Sequence, residues 1–122
     1  NNLLYKTGAT SNLTLLTDEV VEYWKNADTF ITASIDGNKI THDRNRSNSF
    51  DIVSKSLDKL NDNNIPFEAR MTISFDDMDN LFENVKSIHQ RFNAKRIIPQ
   101  LDTNILHIFS FLLTPAILNR NL

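Results

Sequence analysis

The sequence predicts an α/β fold with a parallel sheet, on three observations. Short apolar, β-branched runs alternate with amphipathic helical stretches along the chain. Each strand–helix unit takes roughly 30 to 40 residues, the length of a crossover that returns to pair in parallel. A chain of 122 residues, 40% hydrophobic and with only two glycines and three prolines, suits one packed domain.

Leu3, Leu4 and Tyr5 suggest a short first strand ending near Gly8. Thr17 then reads as a helix N-cap, with Asp18 and Glu19 placed at the positive end of the helix dipole. Leu16 and Val21 have the spacing of a hydrophobic staple, and Val20, Val21 and Trp24 share a face, so a helix is expected to run to about Asn26. Thr29 to Ile35 is apolar and β-branched, a buried strand stopped by Asp36-Gly37-Asn38. Lys39 to Ser49 carries no apolar period and reads as a polar loop holding His42, Asp43, Arg44 and Arg46.

Phe50, Val53, Leu57 and Leu60 form a helical stripe, with Ser49 or Asn48 as cap and a break at 61–64. Pro66 to Ser74 alternates, with Phe67, Ala69, Met71 and Ile73 on one face and Glu68, Arg70 and Thr72 on the other. Met78, Leu81, Phe82, Val85, Ile88 and Phe92 give the strongest helical period, and Lys95 to Pro99 a last strand. Three or four strands are too few to close a barrel, so the sheet is either open or part of one. Residues 1–102 are expected to form the α/β domain. Residues 103–122, apolar with weak period and interrupted by Pro115, are expected to form a divergent tail.

A formal charge of −2 gives no electrostatic case for nucleic acid. The absence of cysteine excludes disulfides, thiolate catalysis and any cluster or zinc site built from the chain's own thiolates. Ile105 to Leu118 is shorter than the roughly 20 apolar residues of a membrane span, and no signal-peptide pattern opens the chain. The expectation is a soluble, cytoplasmic protein with no membrane partner.

In parallel βα folds, reactive groups gather on loops at the carboxyl ends of strands. That rule selects Ser11, Asn12 and Thr14; Ser34, Asp36 and Gly37; Ser74 and Asp76; Gln100 and Asp102. Each has a structural competitor. Asp36-Gly37 is a common turn pair, Ser74 and Asp76 are helix-cap residues, and His42-Asp43 with Arg44 and Arg46 suits a solvated loop. His89 and His107 lack a second ligand at metal spacing, so no metal site is assigned.

Three segments in order carry a resemblance. Asn12 to Glu19 (NLTLLTDE) resembles a T-N-G-T-L-L-T-D-E turn into a helix, with Ser11 in place of the threonine and Leu13 in place of the glycine. Ser34-Ile35-Asp36-Gly37 followed by His42-Asp43-Arg44-Asn45-Arg46 resembles the S-I-D-G and H-D-x-x-R signatures of radical SAM maturases with SPASM extensions. Ser49 to Val53 and Pro66 to Ile73 continue the pattern, so the likeness spans about residues 7 to 98. It implies the middle strands of a partial (β/α) barrel. It further implies chemistry in which a four-iron four-sulfur cluster reductively cleaves S-adenosylmethionine, and the resulting radical abstracts hydrogen from a peptide or protein substrate. Ser34, Asp36, Arg46 and Asn12 are the positions it marks for the S-adenosylmethionine cofactor; it marks no catalytic residue.

The departures are as informative. The family's CxxxCxxC loop, its glycine-rich segment and its cysteine-rich extension have no counterpart, so this chain alone is expected to bind no cluster and to be inactive. The match fades past Ile98-Pro99, as it would in a fragment of a longer enzyme. The alternative is a cysteine-free, non-catalytic α/β peptide-binding module or a degenerate homologue. An unrelated hydrolase would need a nucleophile and an oriented base that the sequence does not offer.

Overall fold

The computed structural model describes residues 7–102. In chain order these form β1 (Gly8–Ser11), α1 (Asp18–Asn26), β2 (Phe30–Ser34), α2 (Lys39–Asn45), α3 (Phe50–Asp62), β3 (Phe67–Ile73), a 3-10 helix (Phe75–Asn80), α4 (Leu81–Phe92) and β4 (Ile97–Leu101). The sheet order is β1-β2-β3-β4 and each neighbouring pair is parallel. The carboxyl ends of all four strands therefore lie on one rim.

Strand alternation gives the sheet two unlike faces. Ile31, Ala33, Phe67, Ala69, Met71 and Ile73 are buried, and they pack with Val21 of α1, Val53, Leu57 and Leu60 of α3, and Ile88 and Phe92 of α4. Burying each of the larger side chains is worth up to about 1.5–3 kcal/mol. Thr32, Ser34, Glu68, Arg70 and Thr72 alternate with that set and share the opposite, polar face. The register pairs Thr32 with Glu68 and Ser34 with Arg70.

The α/β expectation with a parallel sheet is realised, and α1 follows the predicted signal closely. Thr17 caps it by accepting from the Val20 N–H at 3.3 Å. Elsewhere the boundaries move. The first strand begins at Gly8 instead of ending there; Leu3 to Tyr5 and the 103–122 tail lie outside the described residues. The last strand sits two residues later than expected, at Ile97–Leu101. Met78 and Phe82 are 42% and 74% exposed and do not belong to the buried stripe of α4, whose fully covered members are Asn84, Ile88 and Phe92.

The largest correction is α2, where a polar loop was expected. Asn38 caps this helix by accepting from the Thr41 N–H at 3.0 Å. Its buried residues are Thr41 and His42, so its inward side has no apolar period to betray it. Ser49 stands at the N-cap position of α3 without capping it: its hydroxyl donates back to the Arg46 carbonyl at 2.7 Å, and Asp43 accepts from the Phe50 N–H at 2.8 Å.

Candidate functional site

The turn after β2 is the centre of the rim. Asp36 is buried at 1% exposure and accepts from Arg46 Nε at 2.7 Å and from the Thr72 N–H at 2.9 Å. Arg46 Nη2 also donates to Thr72 Oγ1 at 3.3 Å. One carboxylate thus ties the β2 turn, the end of α2 and the end of β3 together. Charge-assisted bonds of this kind are roughly twice as strong as neutral ones.

Gly37 makes the turn possible. Its φ of +149° lies in a region that side chains avoid, and a Cβ there would stand 2.3 Å from Asn84 Oδ1 on α4. The same oxygen accepts from the Asn38 N–H at 3.0 Å, so α4 clamps the turn from outside.

A second buried carboxylate lies beside the first. Asp77 is 1% exposed and accepts from Arg44 Nη2, from Asn45 Nδ2 at 2.9 Å, and from Ser74 Oγ and its N–H at 2.7 and 3.2 Å. Ser74 does begin the next helical segment, but its partner in the capping box is Asp77, not Asp76. Arg44 and Arg46, expected on a solvated loop, instead pair with the protein's own acids.

His42 is fully buried, contrary to the solvated-loop expectation. Its Nδ1 accepts from the Asp36 N–H at 3.2 Å and its Nε2 lies 3.0 Å from Ser49 Oγ. Burial lowers its pKa below the ordinary histidine value; Asp36 opposes that shift and Arg46 adds to it.

Between these elements is a cleft of about 320 Å³ lined by Asp36, Asn45, Arg46, Thr72, Ser74 and Asp102. Of the sequence-selected residues, Asp36 and Arg46 are brought together here, with Ser74 and Asp102 on the same walls. Ser34 ends β2 on the adjoining polar face and is not a wall residue. Asn12 sits on the rim one strand away, exposed, its carboxamide oxygen accepting from Thr14 N and Oγ1 at 3.1 and 2.9 Å. Gln100 lies exposed on β4, and His89 is exposed on α4. No group of histidines and acids suited to a metal ion occurs among the described residues.

The sequence reading passed over Arg70. It lies between Ala69 and Met71, both fully buried, so its side chain belongs to the polar sheet face, in register with Ser34. Alone among the arginines of the described residues, its guanidinium makes no ion pair or hydrogen bond, whereas Glu68 on the same face is taken by Arg96 at 2.6 Å. The alternation of β3 put Arg70 opposite the core; only the structure reveals that its neighbours leave it unneutralised. A further cavity of about 300 Å³ lies near the amino end of β3, lined by Asn61, Asn64, Ile65, Pro66, Asn93 and Lys95 and remote from this rim chemistry.

No family model and no curated protein matches the chain in sequence. Solved structures do match in shape. Native anSMEcpe with bound AdoMet and Kp18Cys peptide superposes with a TM-score of 0.72 at 18% identity, over 83% of this chain and 30% of that one. Native anSMEcpe with bound AdoMet gives the same TM-score and identity over 83% and 29%. The likeness is one of fold. The four parallel strands with alternating helices match the partial barrel of these neighbours, radical SAM enzymes, and the chain spans less than a third of their length. No helix among the described residues is long and apolar enough to cross a membrane.

Proposed function

We propose that this chain is part of a radical SAM enzyme acting on a peptide or protein, and that its β2–β3 rim forms part of the S-adenosylmethionine site. The observation that carries this is the conjunction of a partial-barrel sheet with a polar face ending in Ser34, Arg70 and Thr72 beside the Asp36–Arg46 pair. The fold neighbours contain AdoMet, and some contain a peptide as well. The finer assignment to the SPASM-associated maturases rests on the Ser34–Gly37 and His42–Arg46 motifs alone.

The two groups of such chemistry fit this chain differently. A four-iron four-sulfur cluster does not fit, because 122 residues without cysteine offer no thiolate to hold it. The chain alone is therefore expected to form no 5′-deoxyadenosine. S-adenosylmethionine fits better. Its carboxylate suits Arg70, whose guanidinium no acid among the described residues neutralises, and its hydroxyl and amine groups suit Ser34 and Ser74. Arg46 has five N–H donors, of which the Asp36 and Thr72 bonds use two, so it can still donate into the cleft. Asp36 shapes the site by holding Arg46 and the β3 backbone. When bound, the cofactor would supply a sulfonium; this chain's residues would orient it.

Titration of the ¹⁵N-labelled chain with S-adenosylmethionine tests the reading. Chemical-shift changes are expected at Ser34, Arg46, Arg70, Thr72 and Ser74, and Arg70→Met should weaken binding by about tenfold. Perturbations confined to the amino end of β3, or none at millimolar ligand, would remove the proposal.

A further inference from the structure

Four hydrogen bonds around the β2 turn form a closed ring. The Asp36 N–H donates to His42 Nδ1, Ser49 Oγ donates to the Arg46 carbonyl at 2.7 Å, and Arg46 Nε returns to Asp36 Oδ2. The remaining link is His42 Nε2 with Ser49 Oγ. Its direction is forced. A backbone N–H can only donate, so Nδ1 carries no proton; a carbonyl can only accept, so the Ser49 hydrogen is already committed. His42 must therefore be neutral with its proton on Nε2, donating to Ser49.

We infer that His42 is a positioning residue, a neutral Nε2–H imidazole that fixes where the Asp36–Arg46 pair meets the cleft. It joins the two ends of the segment that carries that pair, the turn at Asp36 and the chain reversal at Arg46 to Ser49. The reversal needs such a hold, since Ser47 and Asn48 both have φ above +50°. Charged groups near the ring are Asp36 on the β2 turn, Asp43 on α2 and Arg46 just past its end; Ser49 precedes α3, whose first residue, Phe50, presents its ring edge at 5.8 Å.

Protonation would place an Nδ1–H against the Asp36 N–H and open the ring. Because burial lowers the folded-state pKa, the unfolded chain binds the proton more readily. The contribution of His42 to stability is thus complete above its ordinary value of about 6.5 and falls away as pH drops below it. The role in positioning the cofactor rests on the functional reading above; the ring itself does not.

The decisive measurement is the tautomer and titration of His42 in the full ¹⁵N-histidine-labelled chain, with a blocked free histidine in the same buffer as reference. An Nε2–H imidazole that stays neutral where the free histidine has gained its proton, below about pH 6.5, is expected. An Nδ1–H tautomer, or protonation together with the free histidine, overturns the ring. Ser49→Ala keeps the core intact and should speed solvent exchange of the Arg46 Nε–H by about three- to tenfold, the loss of one hydrogen bond. An unchanged exchange rate also overturns it. Ser49→Ala should weaken S-adenosylmethionine binding by a similar factor. A wild-type chain with no affinity overturns the link to the cofactor together with the functional reading, and the tautomer still judges the ring.

Discussion

Two turns on the same rim solve the same problem with unequal means. After β2, Asp36-Gly37-Asn38 uses glycine at a φ of +149° and surrounds it with a buried carboxylate, an arginine, a histidine and the Asn84 clamp. After β1, Asn12-Leu13 places a leucine at a φ of +60°, where the resembling motif has glycine. Leu13 tolerates this because its side chain is 1% exposed, its N–H donates to Ser11 Oγ at 3.0 Å, and its carbonyl accepts from Ser56 Oγ at 2.8 Å. The first turn is held by polar wiring that also builds the cleft. The second is held by core packing, and its exposed residue, Asn12, bonds only within its own loop. The lesson is that a rim position is not by itself a site: what matters is whether the polar groups there converge.

The strongest way to break this contrast is Gly37→Ala. Backbone strain of about 1–3 kcal/mol adds to a steric cost of similar size, because the new Cβ meets Asn84 rather than solvent. A loss of about 3 kcal/mol or more is expected, read as a fall in Tm of more than about 10 °C. A fall of only a few degrees would show that the turn shifts freely and that the clamp is weak.

Asp36→Asn should cost about 2 kcal/mol in urea denaturation, since it removes a charged acceptor from a half-buried guanidinium. The matching change on the other turn, Asn12→Ala, should stay within about 0.5 kcal/mol. Equal losses at the two positions would abolish the distinction between a wired turn and a packed one.

These differences mark where the sequence was readable. The period-two pattern of Phe67, Ala69, Met71 and Ile73 located β3, and the Thr17 signal located α1, because apolar burial and capping are local and periodic. Asp36 was selected by its place after a strand and by motif, Arg46 by motif alone, and they do meet. What was hidden was polar. The inward side of α2 is Thr41 and His42, and Asn84 sits fully buried within the stripe of α4, so hydrophobic spacing could not find either. Whether a charge is free or spent was equally hidden. Arg44, Arg46 and Arg70 look alike in sequence, and only the tertiary partners Asp77 and Asp36 separate the two neutralised arginines from the third.

The finest test lies at Leu13, where two substitutions should rank in an unusual order. Leu13→Ala empties a buried site, at about 3 kcal/mol, and keeps a Cβ in the left-handed region. Leu13→Gly empties the same site but releases roughly 1–2 kcal/mol of left-handed strain. In regular structure glycine is the worse replacement by about 0.5–1 kcal/mol, through the entropy of the unfolded chain. Here the two terms oppose, and glycine should be better than alanine by about 0.5–1 kcal/mol, resolved by paired urea melts at constant m-value. If alanine proves the milder change, Leu13 is not strained, and the two turns differ in wiring but not in backbone cost.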